Sequence, residues 1–183
     1  MTFEQFKREW VRYFAGDVPV DKVEKYILCH GLAWNFIWHA FSWKLVPESV
    51  YLVGDAARRA FDEQNKESAI SIEPFEDNPK TVFLPHDLRH AAAIEDLTEY
   101  YVVGRDFAWT YIKTHEGGLG PYFCTKRTDS VENYDEAVLR RDINDRRLEA
   151  EEAARKERGR RLSLAIGIGL AVTAGVAAFF FIK

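Results

Sequence analysis

The sequence predicts an α+β fold, a small antiparallel sheet with N-terminal helices, followed by a long charged helix and one C-terminal transmembrane helix. Three observations carry this. Helix-spaced aromatics with helix caps gather in the first third of the chain. Three β-rich runs divided by short turns follow later. Beyond residue 128 the composition turns abruptly to charge and then to an uncharged run. The expected division is a head over 1–128, a stalk over 129–161 and an anchor over 162–182.

In order, Thr2 and Gln5 offer a capping box, and Phe3, Phe6, Trp10, Tyr13 and Phe14 keep helical spacing up to Gly16, a natural stop. Asp21 is placed to cap a second helix that begins VEKY. It leads towards the aromatic run GLAWNFIWHAFSW at 31–43, where periodicity alone does not separate helix from strand. Gly54 and Asp55 open AARRAFDEQNK, an amphipathic helix with Ala56, Ala60 and Phe61 turned inward. AISIEPF at 69–75 alternates as a strand, and a third short helix is expected over 87–97. EYYVV, FAWTYIKTH and PYFCTK then read as consecutive antiparallel hairpins, because the breaks at 104–106 and 116–120 are short.

Between 129 and 161 the chain holds ten acids and nine bases, with acid preceding base at i,i+4 in Glu136 and Arg140, Asp142 and Arg146, and Glu151 and Arg155. The apolar stripe of Val131, Tyr134, Val138 and Leu139 fades past Leu148, so a solvated stalk is expected rather than a coiled coil. Residues 162–182, LSLAIGIGLAVTAGVAAFFFI from Leu162 to Ile182, carry no charge and no proline. As a helix they would span about 30 Å, the thickness of a hydrocarbon core. The bases at 155–161 then place the N-terminus in the cytoplasm. The expected location is the cell membrane, as a single-pass, tail-anchored protein with the lipid bilayer as one partner. Ala165 with Gly169, and Ala171 with Gly175, have the spacing of a homodimer contact.

Composition excludes several classes. The chain of 183 residues has 25 basic and 29 acidic side chains, and its head carries 19 acids against 15 bases, so nucleic acid is not an expected partner. Cys29 and Cys124 are too few for a disulfide framework and match no zinc spacing. The N-terminus lacks a signal-peptide pattern. There is no GxSxG motif, and Gly117, Gly118 and Gly120 are not followed by a lysine and a helix as in a phosphate loop.

Histidines are the remaining candidates. His86 and His90 have the i,i+4 spacing of two metal ligands, but the HExxH glutamate and a third ligand are missing, so no metal and no cofactor is expected. His39 lies among aromatics in WHAFSW, and His115 precedes Glu116 in THEGGLG. A histidine beside a carboxylate is equipped for general acid or base work, which makes His39, His115 and Glu116 the candidate catalytic set.

Three segments taken together, WHAFSW at 38–43, GDAARRAFD at 54–62 and DFAWTYIKTHEGGLGPYF at 106–123, resemble a bacterial family of uncharacterised proteins, the domain of unknown function 4275. The resemblance covers about residues 20–126 and implies a small α+β domain. It assigns no activity and carries over no catalytic residue. The stalk and the apolar tail lie outside it.

Two functions are therefore expected in order. The first is a non-enzymatic binding or adaptor module that holds an unknown protein partner at the membrane, of which an immunity-type protein is one version. The alternative is a hydrolase-like enzyme using His39, His115 and Glu116, which requires those three side chains to converge in one open pocket.

Overall fold

A computed structural model describes residues 1–28 and 36–181, with side chains described up to residue 158. The aromatic run at 31–43 is thus described only from Phe36 onward, and Cys29 lies outside the described residues.

Helix α1, Phe3–Phe14, starts at the expected capping box. The Gln5 amide N–H donates to the Thr2 hydroxyl, and the Thr2 N–H donates to the Gln5 side chain. Its inward face is Phe6, Trp10, Val11 and Phe14. Helix α2, Val20–Val23, runs directly into a π-helical stretch, Glu24–Leu28. Pro19 rather than Asp21 stands at its N-cap, and Asp21 falls in the first turn. The one-turn α3, His39–Ser42, and a 3-10 turn at Glu48–Val50 precede strand β1, Tyr51–Val53.

Helix α4, Asp55–Asp62, buries Phe61 as expected and packs Ala60 partly buried against the same cluster, while Ala57 rather than Ala56 completes the inward face. Strands β2, Ile70–Ile72, and β3, Val82–Phe83, follow. The helix expected over 87–97 is shorter, a 3-10 turn at His86–Leu88 and then α5, Ala91–Ile94. The break has a local cause. His90 is extended, and the Ala91 N–H donates to the Asp62 carboxylate at 2.8 Å, so the helix starts afresh there. Strands β4, Tyr100–Val103, β5, Trp109–Lys113, and β6, Tyr122–Thr125, are the expected consecutive hairpins.

The sheet order is β1-β6-β5-β4-β2-β3, antiparallel throughout. Its central strands are buried on both faces. Tyr101, Val103, Ile112, Tyr122 and Cys124 meet the cluster built on α1 and α3. Tyr100, Val102, Trp109, Tyr111 and Phe123 meet the cluster of α4 and α5. This period-two division puts the sheet in the middle of three layers. The β4–β5 turn is held tightly: Asp106 and Phe107 both take φ near +54°, and Phe107 lies 5.1 Å from the Tyr13 ring of α1.

Helix α6 runs over Thr128–Phe181. The chain divides into two compact units, Met1–Val138 and Leu139–Lys183. Within the first, the opening turns of α6 are tied to α1. Ser130 is fully buried, accepts the Gly16 N–H at 2.6 Å and donates to the Arg12 carbonyl at 3.0 Å. Arg12 forks onto Asp135 at 2.7 and 2.8 Å. In the second unit, i,i+4 pairs join Arg141 to Asp145 at 3.7 Å and Arg147 to Glu151 at 3.8 Å.

The transmembrane helix expected from the sequence is corrected. The side chains of 162–182, including the small residues expected to pair two copies, lie outside the described residues. Among the described residues no helix is long and apolar enough to cross a membrane. The described side chains of α6 explain this: from 128 to 158 acids and bases recur on every turn, and hydrocarbon excludes them. The tail anchor, the single-pass topology and the cell-membrane location fall with that helix, as does the adaptor function defined by membrane attachment.

Candidate functional site

The end of the β4–β5 hairpin where β4 begins and β5 finishes carries the most unusual chemistry in the head. Glu99, one residue ahead of β4, has a side chain that is 0% exposed. Residues i and i+2 of an extended chain share a face, so Glu99 and Tyr101 project together towards the α1 side of the sheet. The Tyr101 hydroxyl donates to one carboxylate oxygen. His115, two residues past β5, places Nδ1 on the other. The Trp38 indole N–H is buried, makes no hydrogen bond of ordinary geometry and lies near enough to Glu99 to favour its ionised form.

Burial pushes the Glu99 carboxyl above its ordinary range, while His115 and Trp38 pull it back. His115 itself is a quarter exposed, and its Nε2 has no hydrogen-bond partner among the described residues. A carboxylate on Nδ1 fixes the tautomer and orientation of an imidazole.

Aromatic rings enclose the imidazole. Phe36 stands 4.9 Å from His115 at 62°, Phe75 stands 5.3 Å away at 73°, and Trp38 stands 5.7 Å away at 70°. His39 belongs to the same cluster on its other side. It stacks on Trp43 at 4.0 Å and meets Trp38 at 4.5 Å, with Nδ1 3.3 Å from the Tyr26 carbonyl. Only 6% of His39 is exposed, and burial lowers its pKa. It is a packed, neutral-favouring ring rather than a surface base.

The structure therefore brings His39 and His115 into one aromatic cluster but puts Glu99, not Glu116, on His115. Glu116 is exposed in the following turn and reaches His39 only electrostatically. Neither of the two described cavities includes the expected set. One of about 370 Å³ lies between α3, β1 and the 118–120 turn, and one of about 330 Å³ lies beside Gln64 and Arg105.

Sequence reasoning missed Glu99 because its partner is sixteen residues away. The available signal was a lone carboxylate two residues before a tyrosine in EYYVV, across a hairpin from THE.

Other candidates do not gather into sites. His86 opens the 3-10 turn, and His90, with a 77% exposed side chain, lies 4.0 Å from Asp62. Among the described residues no group of three side chains is arranged to hold a metal. Cys124 is buried on β6, and burial pushes its thiol up to about 12, which disfavours a thiolate nucleophile.

Against known proteins, no curated protein and no solved structure matches this chain. A family model described as domain of unknown function (DUF4275) matches residues 2–123, which covers α1 through the middle of β6 and takes in Glu99, Tyr101 and His115. The chain belongs to the DUF4275 family.

Proposed function

We propose that the head is a hydrolase-class enzyme built on a different pair from the expected set, in which His115, oriented by Glu99, acts as general base and then general acid. The hydrolase expected from His39, His115 and Glu116 in one open pocket does not form, because Glu116 is exposed and no described cavity joins the three. The observation that carries this reading is the fully buried Glu99 carboxylate on Nδ1 of a partly exposed imidazole. With Nδ1 carrying the proton shared with Glu99, Nε2 keeps the lone pair that a general base needs. In the step it serves, Nε2 takes a proton from water while the water oxygen forms a bond to the substrate's acyl carbon. The imidazolium then returns the proton to the leaving group as the acyl bond breaks.

Water is the nucleophile in this scheme, activated by the His115 imidazole that Glu99 orients. Glu99 stabilises the transient imidazolium, and Tyr101 fixes Glu99.

The test is hydrolysis of chromogenic carboxylic esters and anilides by the purified chain and its H115Q, E99Q and E116Q variants. Turnover abolished in H115Q, reduced in E99Q with an altered pH profile and retained in E116Q supports the reading. Turnover absent from every substrate class, or unchanged in H115Q, removes it.

A further inference from the structure

The cavity of about 370 Å³ between α3, β1 and the 118–120 turn does not include His115, and the reading above leaves it unused. Its floor is aromatic. Tyr51 and Val53 share one face of β1, and Tyr122 of β6 stands opposite Val53 in the register. Phe41 of α3 completes the floor, with its ring 4.8 Å from that of Tyr51 and 5.1 Å from that of Tyr122. The Tyr51 hydroxyl donates to the Phe41 carbonyl at 3.1 Å and ties the strand to the helix.

Two turns with left-handed backbone form the sides. In one, Gly118 and Gly120 take φ of 88° and 80°. The other ends α3 in a Schellman motif, in which the Lys44 N–H donates to the Phe41 carbonyl at 2.9 Å and the Leu45 N–H to the Ala40 carbonyl at 3.0 Å. Lys44 holds the left-handed position of that motif, φ 52°, where glycine is the usual and least strained residue. Chain reversal alone gives no reason for a lysine there. Its side chain is 72% exposed and pairs with Glu48, 59% exposed, and an ion pair in water stabilises little. What the lysine adds is a positive charge that lines the cavity in contact with a negative one. Strained residues gather where a ligand is clamped.

Charge then selects the ligand. A simple cation meets Lys44, a simple anion meets Glu48, and Glu116, within electrostatic range of Tyr122, disfavours the anion further. A ligand whose own opposite charges are held on one carbon answers both, its ammonium to Glu48 and its carboxylate to Lys44. Its side chain is then free to cover the rings. A cavity of about 370 Å³ is at the small end of ligand sites, the scale of one amino acid rather than a nucleotide.

We infer that this cavity binds a free α-amino acid with an apolar side chain, its charges on Lys44 and Glu48 and its side chain on Phe41, Tyr51 and Tyr122. The site stands apart from the hydrolase reading, and the failure of either leaves the other in place.

The experiment is NMR titration of the full chain, read at the amides of Lys44, Gly118 and Gly120. The probes are phenylalanine, its decarboxylated analogue phenethylamine, its deaminated analogue hydrocinnamate, and glycine. Phenylalanine is expected to shift those amides and to bind about threefold tighter than either single-charge analogue, the effect of one exposed ionic contact. Glycine, with no side chain to cover the rings, should bind at least about tenfold more weakly. K44N keeps a residue that accepts left-handed backbone and should erase the advantage of phenylalanine over phenethylamine. E48Q, also at an exposed side chain, should erase its advantage over hydrocinnamate. R105Q, beside the other cavity, should change neither. Binding of a single-charge analogue or of glycine as tight as that of phenylalanine, advantages that survive K44N and E48Q, or no shift at the three amides overturns the site.

Discussion

Replacing His115 by Phe keeps a ring against Phe36, Trp38 and Phe75 while deleting the donor to Glu99. The Glu99 side chain is 0% exposed, so solvent does not replace that donor. A hydrogen bond to a charged group contributes about 1.5–3 kcal/mol. The remaining donor from Tyr101 keeps the loss below the roughly 3–5 kcal/mol of a buried pair broken outright. A cost of about 2 kcal/mol is therefore expected at neutral pH. With a urea dependence of about 2 kcal/mol per molar, the midpoint falls by roughly 1 M.

A double-mutant cycle with E99Q isolates the pair. The coupling should be about 1.5–3 kcal/mol, since the amide introduced by E99Q no longer presents a buried charge to be paired. The pH dependence has a definite sign. Burial raises Glu99 in the fold above its ordinary value of 4.5. The folded state then holds more protons than the unfolded one from 4.5 up to that raised value. Its contribution is complete below 4.5 and is lost as pH rises. H115F raises Glu99 further and extends this loss to higher pH, and E99Q abolishes it. A coupling under about 0.5 kcal/mol, with parallel pH profiles, would refute the reasoning that His115 is hydrogen-bonded to the buried Glu99 carboxylate as one unit.

Three further outcomes follow from the same structure. His39 has a lowered pKa, so the folded state binds fewer protons than the unfolded state just below 6.5 and stability is lost as pH falls through that range. H39F, which keeps a ring on Trp43, should flatten the acid limb in pH-dependent urea melts; an unchanged limb would contradict the assignment. Thr110 accepts the buried Trp10 indole N–H at 3.0 Å, so T110V should cost about 1–3 kcal/mol while T110S stays near wild type, as measured by urea unfolding. The Ser130 hydroxyl serves both an N–H and a carbonyl at the end of α1, so S130A should cost roughly 2 kcal/mol. G16A should be worse, because a Cβ there would fall on the Ser130 carbonyl.

Local signals in the sequence are reliable where the physics is local. The Thr2–Gln5 capping box, the start of the charged helix and the three late hairpin strands all depend on neighbours within a few residues. β1 and β3 leave no such signal because three- and two-residue edge strands carry too little alternation, and each exists only through its partner. For the apolar run at 162–182 the sequence offers length and hydropathy alone, which describe a segment without its surroundings. Of the candidate site, His115 is legible as a polar residue after a strand, and His39 as a polar residue inside an aromatic run; their proximity is not. Glu116 stands in for Glu99 at the level of sequence because adjacency there substitutes for proximity. A turn sends residue 116 outward, while the β4–β5 register, with Tyr100 opposite Lys113, carries Glu99 to His115.

The claim that Glu99 fixes the tautomer of His115 is tested most directly by long-range proton–nitrogen NMR on histidine-labelled protein above the ordinary imidazole pKa. His115 is expected as the Nδ1–H tautomer, with an Nδ1 proton protected from exchange and a pattern that changes in E99Q. An Nε2–H tautomer, or a spectrum indifferent to E99Q, would contradict it.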